Sequence, residues 1–236
     1  TITGGGRLIG DTGVATGGAV SVLATGTLQG AANVASGGDL TVASGGSVTG
    51  PVDLASGATG DLNGTVTGSL TNGGTLDLRG TVTGALLTEA GGDTQVDGAL
   101  LTGSTVVNSG TMVVQDPATL TLSGGNVLQT RDGATTTIAG TVTGSVTDQV
   151  NGAGFGTTAL TGGVITGGAT LDGQFSNTGT SSIGQDLGLL DDAVATVGGQ
   201  LTVAGDGAGS DVGVAGALTI TGGGRLIGDT GVATGG

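Results

Sequence analysis

The chain contains no cysteine, histidine, lysine, tryptophan or tyrosine. Without cysteine there is no thiol redox chemistry, no disulfide frame and no cysteine-ligated zinc. Without histidine and lysine, the usual general bases and activated nucleophiles are missing. Aromatic residues are reduced to Phe155 and Phe175, so a β-sandwich core, about 10 Å thick and filled by large side chains, is a poor fit. Proline occurs only at positions 51 and 117, and glycine does not recur every third residue, which excludes collagen. The only cations are Arg7, Arg79, Arg131 and Arg225, set against 18 acidic residues for a net charge of −14. That balance argues against nucleic acid and anionic membrane surfaces as partners, and favours solubility and repulsion between fibres. No run of about 18 apolar residues is present, so no segment reads as a membrane-spanning helix.

What remains is glycine, 57 of 236 residues, together with Thr, Ala, Val, Leu, Ser and Asp. Glycine at this level often marks disorder, but disordered chains are polar and charged. Here hydrophobic residues make up 36%, charged residues 9%, and mean hydropathy is +0.34. Short runs of Val, Leu, Ile and Thr punctuated by glycine predict an all-β chain of short strands and tight turns. Small aliphatic side chains suit a narrow interior, such as that of a β-solenoid.

Residues 1–18, TITGGGRLIGDTGVATGG, recur letter for letter as residues 219–236, an offset of 218 residues. The sequence over 1–236 reads as a single continuous segment: one long period of a tandem array and the start of the next. Neither end changes character, which leads to the expectation of an internal segment or a subunit whose ends meet other copies.

A shorter, drifting period lies within the long one. VASGGDLTVASGGSVTG at 34–50 shows it best: Leu40 and Val42 alternate with Thr41, a Gly-Gly pair turns the chain, and Val48 opens another strand. Spacings of 20 between Val20 and Leu40, 20 between Phe155 and Phe175, and 17 between Leu201 and Leu218 fit the same picture. Coils of roughly 16–20 residues, about 11–13 per long period, are expected from these spacings. Coil boundaries between 85 and 135 do not follow from the pattern. In such a coil, each strand pairs in parallel with its equivalent one coil away. The inward residues, here Leu40, Val42, Leu76, Leu78, Leu201, Val203, Leu218 and Ile220, form aliphatic ladders that neighbouring coils must bury.

Each motif has a plainer structural reading. The Gly-Gly pairs lack the following helix and lysine of a phosphate loop and read as corners. Gly205-Asp-Gly-Ala-Gly-Ser-Asp211-Val212 resembles one calcium-binding nonapeptide, with Asp206 and Asp211 as candidate oxygen ligands. Adjacent turns must share such ions, and a single copy reads better as a solvated corner, as do Asp186, Asp191 and Asp192. Thr-Val-Thr at 65–67, 81–83 and 141–143 is similar to the rows of ice-binding solenoids. Its intervals of 16 and 60 do not show the even ladder such a face requires, and outward threonine is favoured on strands anyway. A paired-carboxylate glycosidase is formally open because Asp is plentiful, but the aromatic and basic residues that bind sugars are nearly absent.

Residues 34–50 resemble the passenger repeats of AIDA-type autotransporter adhesins, V-x-S-G-G-x-x-x-V-x-S-G-G, and the whole chain is similar to hemagglutinin-type bacterial surface adhesins. The resemblance implies a right-handed parallel β-helix, secreted to the bacterial cell surface, with a role in adhesion, aggregation or biofilm. The 218-residue repeat departs from that family and leans toward a long stalk or matrix fibre. Four readings stand at this point: a structural fibre segment, a solenoid face that binds carbohydrate or sister fibres, an ice-binding solenoid, and a polysaccharide-processing enzyme. The first is the expectation, with no enzymatic activity, no cofactor beyond the calcium candidates, and further copies of the same repeat as partners, covalent or head-to-tail.

Overall fold

The computed structural model describes residues 1–101, 106–148 and 155–232, and the last four residues of the duplicated stretch lie outside them. The described chain is all-β, with three parallel sheets winding as a solenoid of three strands per coil. The first sheet has 12 strands, from Arg7–Ile9 to Arg225–Ile227. The second also has 12, from Thr12–Val14 to Thr230–Val232, and the third has 11, from Ala19–Val22 to Ala217–Ile220. Strands are two to five residues long, which is what a chain with glycine at almost every corner can sustain.

Register explains why the short period drifts while the ladders do not. Steps within the sheets range from 16 residues, Thr65 to Thr81, up to 25, Gln200 to Arg225. The longer coils exceed the expected 16–20 because corners absorb extra residues without disturbing the paired strands. Two of the sequence spacings do not mark equivalent positions. Phe175 pairs with Thr158, not Phe155; it is buried, whereas Phe155 is half-exposed at a corner. Leu201 lies in the first sheet and Leu218 in the third.

Along the third sheet, eleven steps carry Ile2 through Val22, Val42, Leu62, Leu78, Val96, Val114, Ile138, Leu160, Asn177 and Val197 to Ile220. Along the second, eleven steps carry Thr12 to Thr230. Both spans equal the 218-residue offset of the duplicated sequence. The first sheet reaches the same end through two slips of two residues. Its inward row through Leu28 and Val82 gives way to one through Leu120 and Val203, and that to one through Leu201 and Leu226. An even slip keeps every side chain on its original face. At about 4.8 Å per step, one period is roughly 53 Å long.

The interior is a stack of small aliphatic residues. Leu40, Val42, Leu76, Leu78, Leu201 and Val203 are buried, as their alternation predicts. Leu218 packs against the core and Ile220 is 51% exposed, although both sit in inward rows; they belong to the last described coil, whose far side has no coil upon it. Gly60 takes an inward place in the row Val20, Leu40, Gly60, Leu76, and the space its missing side chain leaves is filled by Leu54: a Cβ there would lie 2.6 Å from Leu54 Cδ1.

One corner, between the first and second sheets, is a column of bare backbone. A Cβ on Gly30 would lie 2.4 Å from the Gly10 carbonyl oxygen, one on Gly50 2.3 Å from that of Gly30, and one on Gly68 2.5 Å from that of Gly50. Peptide planes stack here at the coil pitch, and no side chain fits between them. At another corner Thr25, with φ 63°, holds the left-handed conformation that Gly5 and Gly45 adopt on either side at 73° and 79°.

Candidate functional site

The outer face of the first sheet carries hydroxyls in columns. Thr65 pairs with Ser47 on one side and Thr81 on the other, so two of the Thr-Val-Thr triplets fall on successive coils, with Ser47-Val-Thr49 before them. The 60-residue interval to the third triplet spans three coils, and Thr143 shares the row of Thr121. Many of these hydroxyls are engaged within the ladder itself. Ser47 Oγ donates to Thr27 Oγ1 at 3.2 Å, and Thr83 Oγ1 donates to the Thr67 carbonyl at 2.9 Å. Thr67 and Thr143 reach the Val48 and Leu120 carbonyls at 3.4 and 3.3 Å. The columns therefore knit one coil to the next as well as presenting a hydroxylated surface, headed by Arg7 at one end.

On the outer face of the third sheet, Asp61 and Asp77 stack directly, with Arg79 beside them. The guanidinium bonds Asp77 and lies 3.2 Å from both Asp61 Oδ1 and Asp97 Oδ2. Burial pushes the Asp77 carboxyl above its ordinary range, with Asp97 and Asp61 adding to the effect and Arg79 opposing it. Burial alone would lower the Arg79 pKa, but Asp77, Asp61 and Asp97 together raise it. One cation among three carboxylates makes this a staple across coils; a glycosidase pair would need its two carboxylates free to act on a sugar.

The calcium candidates lie in a long corner, residues 204–211, between Gln200–Val203 and Val212–Val214. Asp206 Oδ1 accepts from the Ala208 amide at 2.7 Å and Asp211 Oδ2 from the Asp229 amide at 2.8 Å. Asp186 Oδ1 in turn accepts from the Asp206 amide at 3.1 Å. These carboxylates shape the loop backbone, and among the described residues no group of three or more acidic side chains is placed to hold a metal ion. Asp191 and Asp192 are exposed at the corner before Val194. An open groove of about 430 Å³ crosses the second sheet's outer face, floored by Ala15, Ala35 and Ala55 with Asn33 and Asp53 alongside.

The sequence reading missed a polar column inside the solenoid. In the second sheet one inward row runs Val14, Val34, Leu54, then Asn72, Thr88, Asn108, Thr130 and Asp148, before Leu171, Leu189 and Val214 restore aliphatic character. Asn72 is fully partnered: its Nδ2 donates to the Asp93 carbonyl and Thr94 Oγ1 at 2.8 and 2.9 Å, and its Oδ1 accepts from the Gly74 amide at 3.0 Å. Asn108 repeats the arrangement with the Thr135 carbonyl, Thr136 Oγ1 and the Gly110 amide. The signal was present in LTNGG and VVNSG, where Asn stands at inward parity with glycine two places on. Asp148 is 2% exposed, and neither of its oxygens has a hydrogen-bond partner. Burial raises its pKa to about 6, helped by the charges of Asp172 and Asp132; the Gly173 amide, short of hydrogen-bonding geometry, pulls weakly the other way.

No family model matches the chain, and no curated protein matches it. Among solved structures it is similar to the TibC-catalysed, hyper-glycosylated TibA55-350 fragment, at 21% identity and a TM-score of 0.42 over 98% of this chain and 77% of that one. A likeness of that degree says nothing about binding or chemistry.

Proposed function

We propose that this chain is a length-giving segment of a long secreted fibre or stalk on a bacterial surface or in a biofilm matrix. The observation that carries the reading is the closure of the period. Eleven coils return the duplicated residues to the rows they left, Ile2 to Ile220 and Thr12 to Thr230, so each repeat hands the next an unbroken template. The coil that follows Thr230 in an array would stack on it as Ala32 stacks on Thr12. Function then resides in continuity: parallel ladders give axial stiffness, and an acidic exterior keeps fibres apart. The principal partner is the next copy of the repeat in the same polypeptide, and the reading assigns no catalytic role and no cofactor.

The test is a chain of two periods examined by electron microscopy and small-angle scattering. A rod of about 106 Å, twice the single-period length, is expected. Two short rods at variable angles would overturn the reading, because they would place a flexible joint where the ladders are said to be continuous.

A second reading is favoured by the hydroxyl columns of the first sheet: the face adheres to carbohydrate or to a sister fibre. Glycan arrays and bead-aggregation assays on the 236-residue chain decide it. Saturable glycan capture, or clumping abolished by Thr65→Val and Thr81→Val, would support adhesion over a purely mechanical role.

A further inference from the structure

We propose that Asp148 is a pH-sensitive weak point built into the solenoid interior, a buried acid that fits its place when neutral and loosens the surrounding coils when it ionises. The argument rests on what occupies the same row elsewhere. Asn72 and Asn108 each offer both a donor and an acceptor, and the interior supplies a match for both. One coil further along the third sheet, the Asn72 amide meets Thr94, and the Asn108 amide meets Thr136. The corresponding position above Asp148, in the row Thr94, Met112, Thr136, Thr158, Phe175, is Phe175. The hydroxyl that rewards a polar side chain in the earlier coils is replaced by a buried ring.

A carboxyl in this place has two forms with different fates. The neutral acid keeps an O–H that can donate to a backbone carbonyl, as the Asn amides donate to those of Asp93 and Thr135. The carboxylate has only acceptors, and among the described residues none donates to it in hydrogen-bonding geometry, the nearby Gly173 amide included, in surroundings where an unpaired charge is costly. No cation compensates it. Asp132 and Asp172, on the corners after Thr130 and Leu171, add negative charge. The third-sheet strands packed against it, Thr135–Ile138, Thr157–Thr161 and Gln174–Thr178, carry no ionisable side chain, and neither do residues 149–154. Arg131 is exposed.

The direction follows from linkage. Native Asp148 keeps its proton up to about pH 6, whereas an opened chain releases it near the ordinary value of 3.8. Across that interval the native state binds more protons, so stability falls as pH rises and levels off above pH 6. The effect is confined to the coils that enclose the group, because a solenoid opens locally.

Amide hydrogen exchange on the 236-residue chain at pH 4 and pH 7, corrected for intrinsic rates, tests this. Protection of Val127–Thr130, Ser145–Asp148 and Ala169–Leu171 is expected to fall roughly fiftyfold at the higher pH, the part of the two-unit pKa difference that lies between pH 4 and pH 7. Strands near Leu40 should change little. In Asp148→Asn the pH dependence of those three strands should vanish. An equal fall in the variant, or none in the natural chain, overturns the proposal. Should the variant misfold, carbon NMR of the Asp148 carboxyl in the natural chain decides: a titration midpoint near 4 refutes a buried neutral acid.

Discussion

Leu54 and Gly60 make a sharp test of how the interior is filled. Leu54 is fully buried, and its Cδ1 occupies the volume that the side chain of residue 60 would take in the row below Leu76. Truncating a buried leucine to alanine costs about 2–5 kcal/mol, more where the surroundings cannot collapse. Here the hole would open onto a residue with no side chain, so Leu54→Ala is expected near 4 kcal/mol on that scale. Gly60→Ala places a Cβ 2.6 Å from Leu54 Cδ1 and 3.2 Å from Leu76 Cδ1. Overpacking of that kind costs about 1–3 kcal/mol. The double variant removes the clash and partly refills the hole, so it should be more stable than the sum of the single changes by at least about 1 kcal/mol. Urea titrations followed by far-UV circular dichroism measure this, since the chain has no Trp or Tyr to report by fluorescence. Additivity within about 0.5 kcal/mol would mean that the two residues do not share one volume, and the packing account would be wrong.

The remaining predictions are brief. Gly50→Ala should lower the urea midpoint clearly, by about 1–3 kcal/mol, because its Cβ would meet the Gly30 carbonyl oxygen at 2.3 Å. Gly13→Ala, with nothing within 4 Å of the added atom, should leave the midpoint almost unmoved, and equal effects would refute the glycine column as a steric requirement. Arg79→Ala should cost less than about 1 kcal/mol, since the guanidinium side chain is 39% exposed and screened, and the loss should fade at high salt; a large, salt-insensitive loss would contradict the staple. Asp148→Asn should gain up to about 3 kcal/mol at pH 7 and little at pH 4, from a native value of about 6 against 3.8 when unfolded; equal midpoint shifts at the two pH values would refute it.

Much of the fold was legible because alternation in a strand is a strictly local signal. Leu40-Thr41-Val42 declares which side faces inward, and Gly37-Gly38 and Gly45-Gly46 declare where the chain turns. Register across coils was less legible, because corner length varies while ladders do not. The matched spacing of Phe155 and Phe175 misled for that reason: a coil can lengthen at a corner, so equal separation along the chain does not guarantee equal place. Among the candidate sites, Asp206 and Asp211 do lie in one loop, but their oxygens are turned to separate backbone amides, a matter of local dihedrals that composition does not encode. The interior column from Asn72 to Asp148 escaped notice because polar residues in β-chains are read as outward by habit. Leu70 and Asn72 share one parity, so the alternation that turns Leu70 inward turns Asn72 inward as well.

The integer count of coils has a genetic corollary. Two stretches identical over 18 residues are natural partners for unequal crossing-over wherever their codons match as well. Each such exchange would delete or insert 218 residues, and since that block is eleven whole turns in phase, the junction reproduces pairings already in use. Where the period recurs in tandem, as proposed above, the solenoid could be lengthened or shortened in steps of roughly 53 Å without a single mispaired strand. In such an array, repeat number and with it length would be a trait that recombination can tune while folding stays indifferent to the outcome.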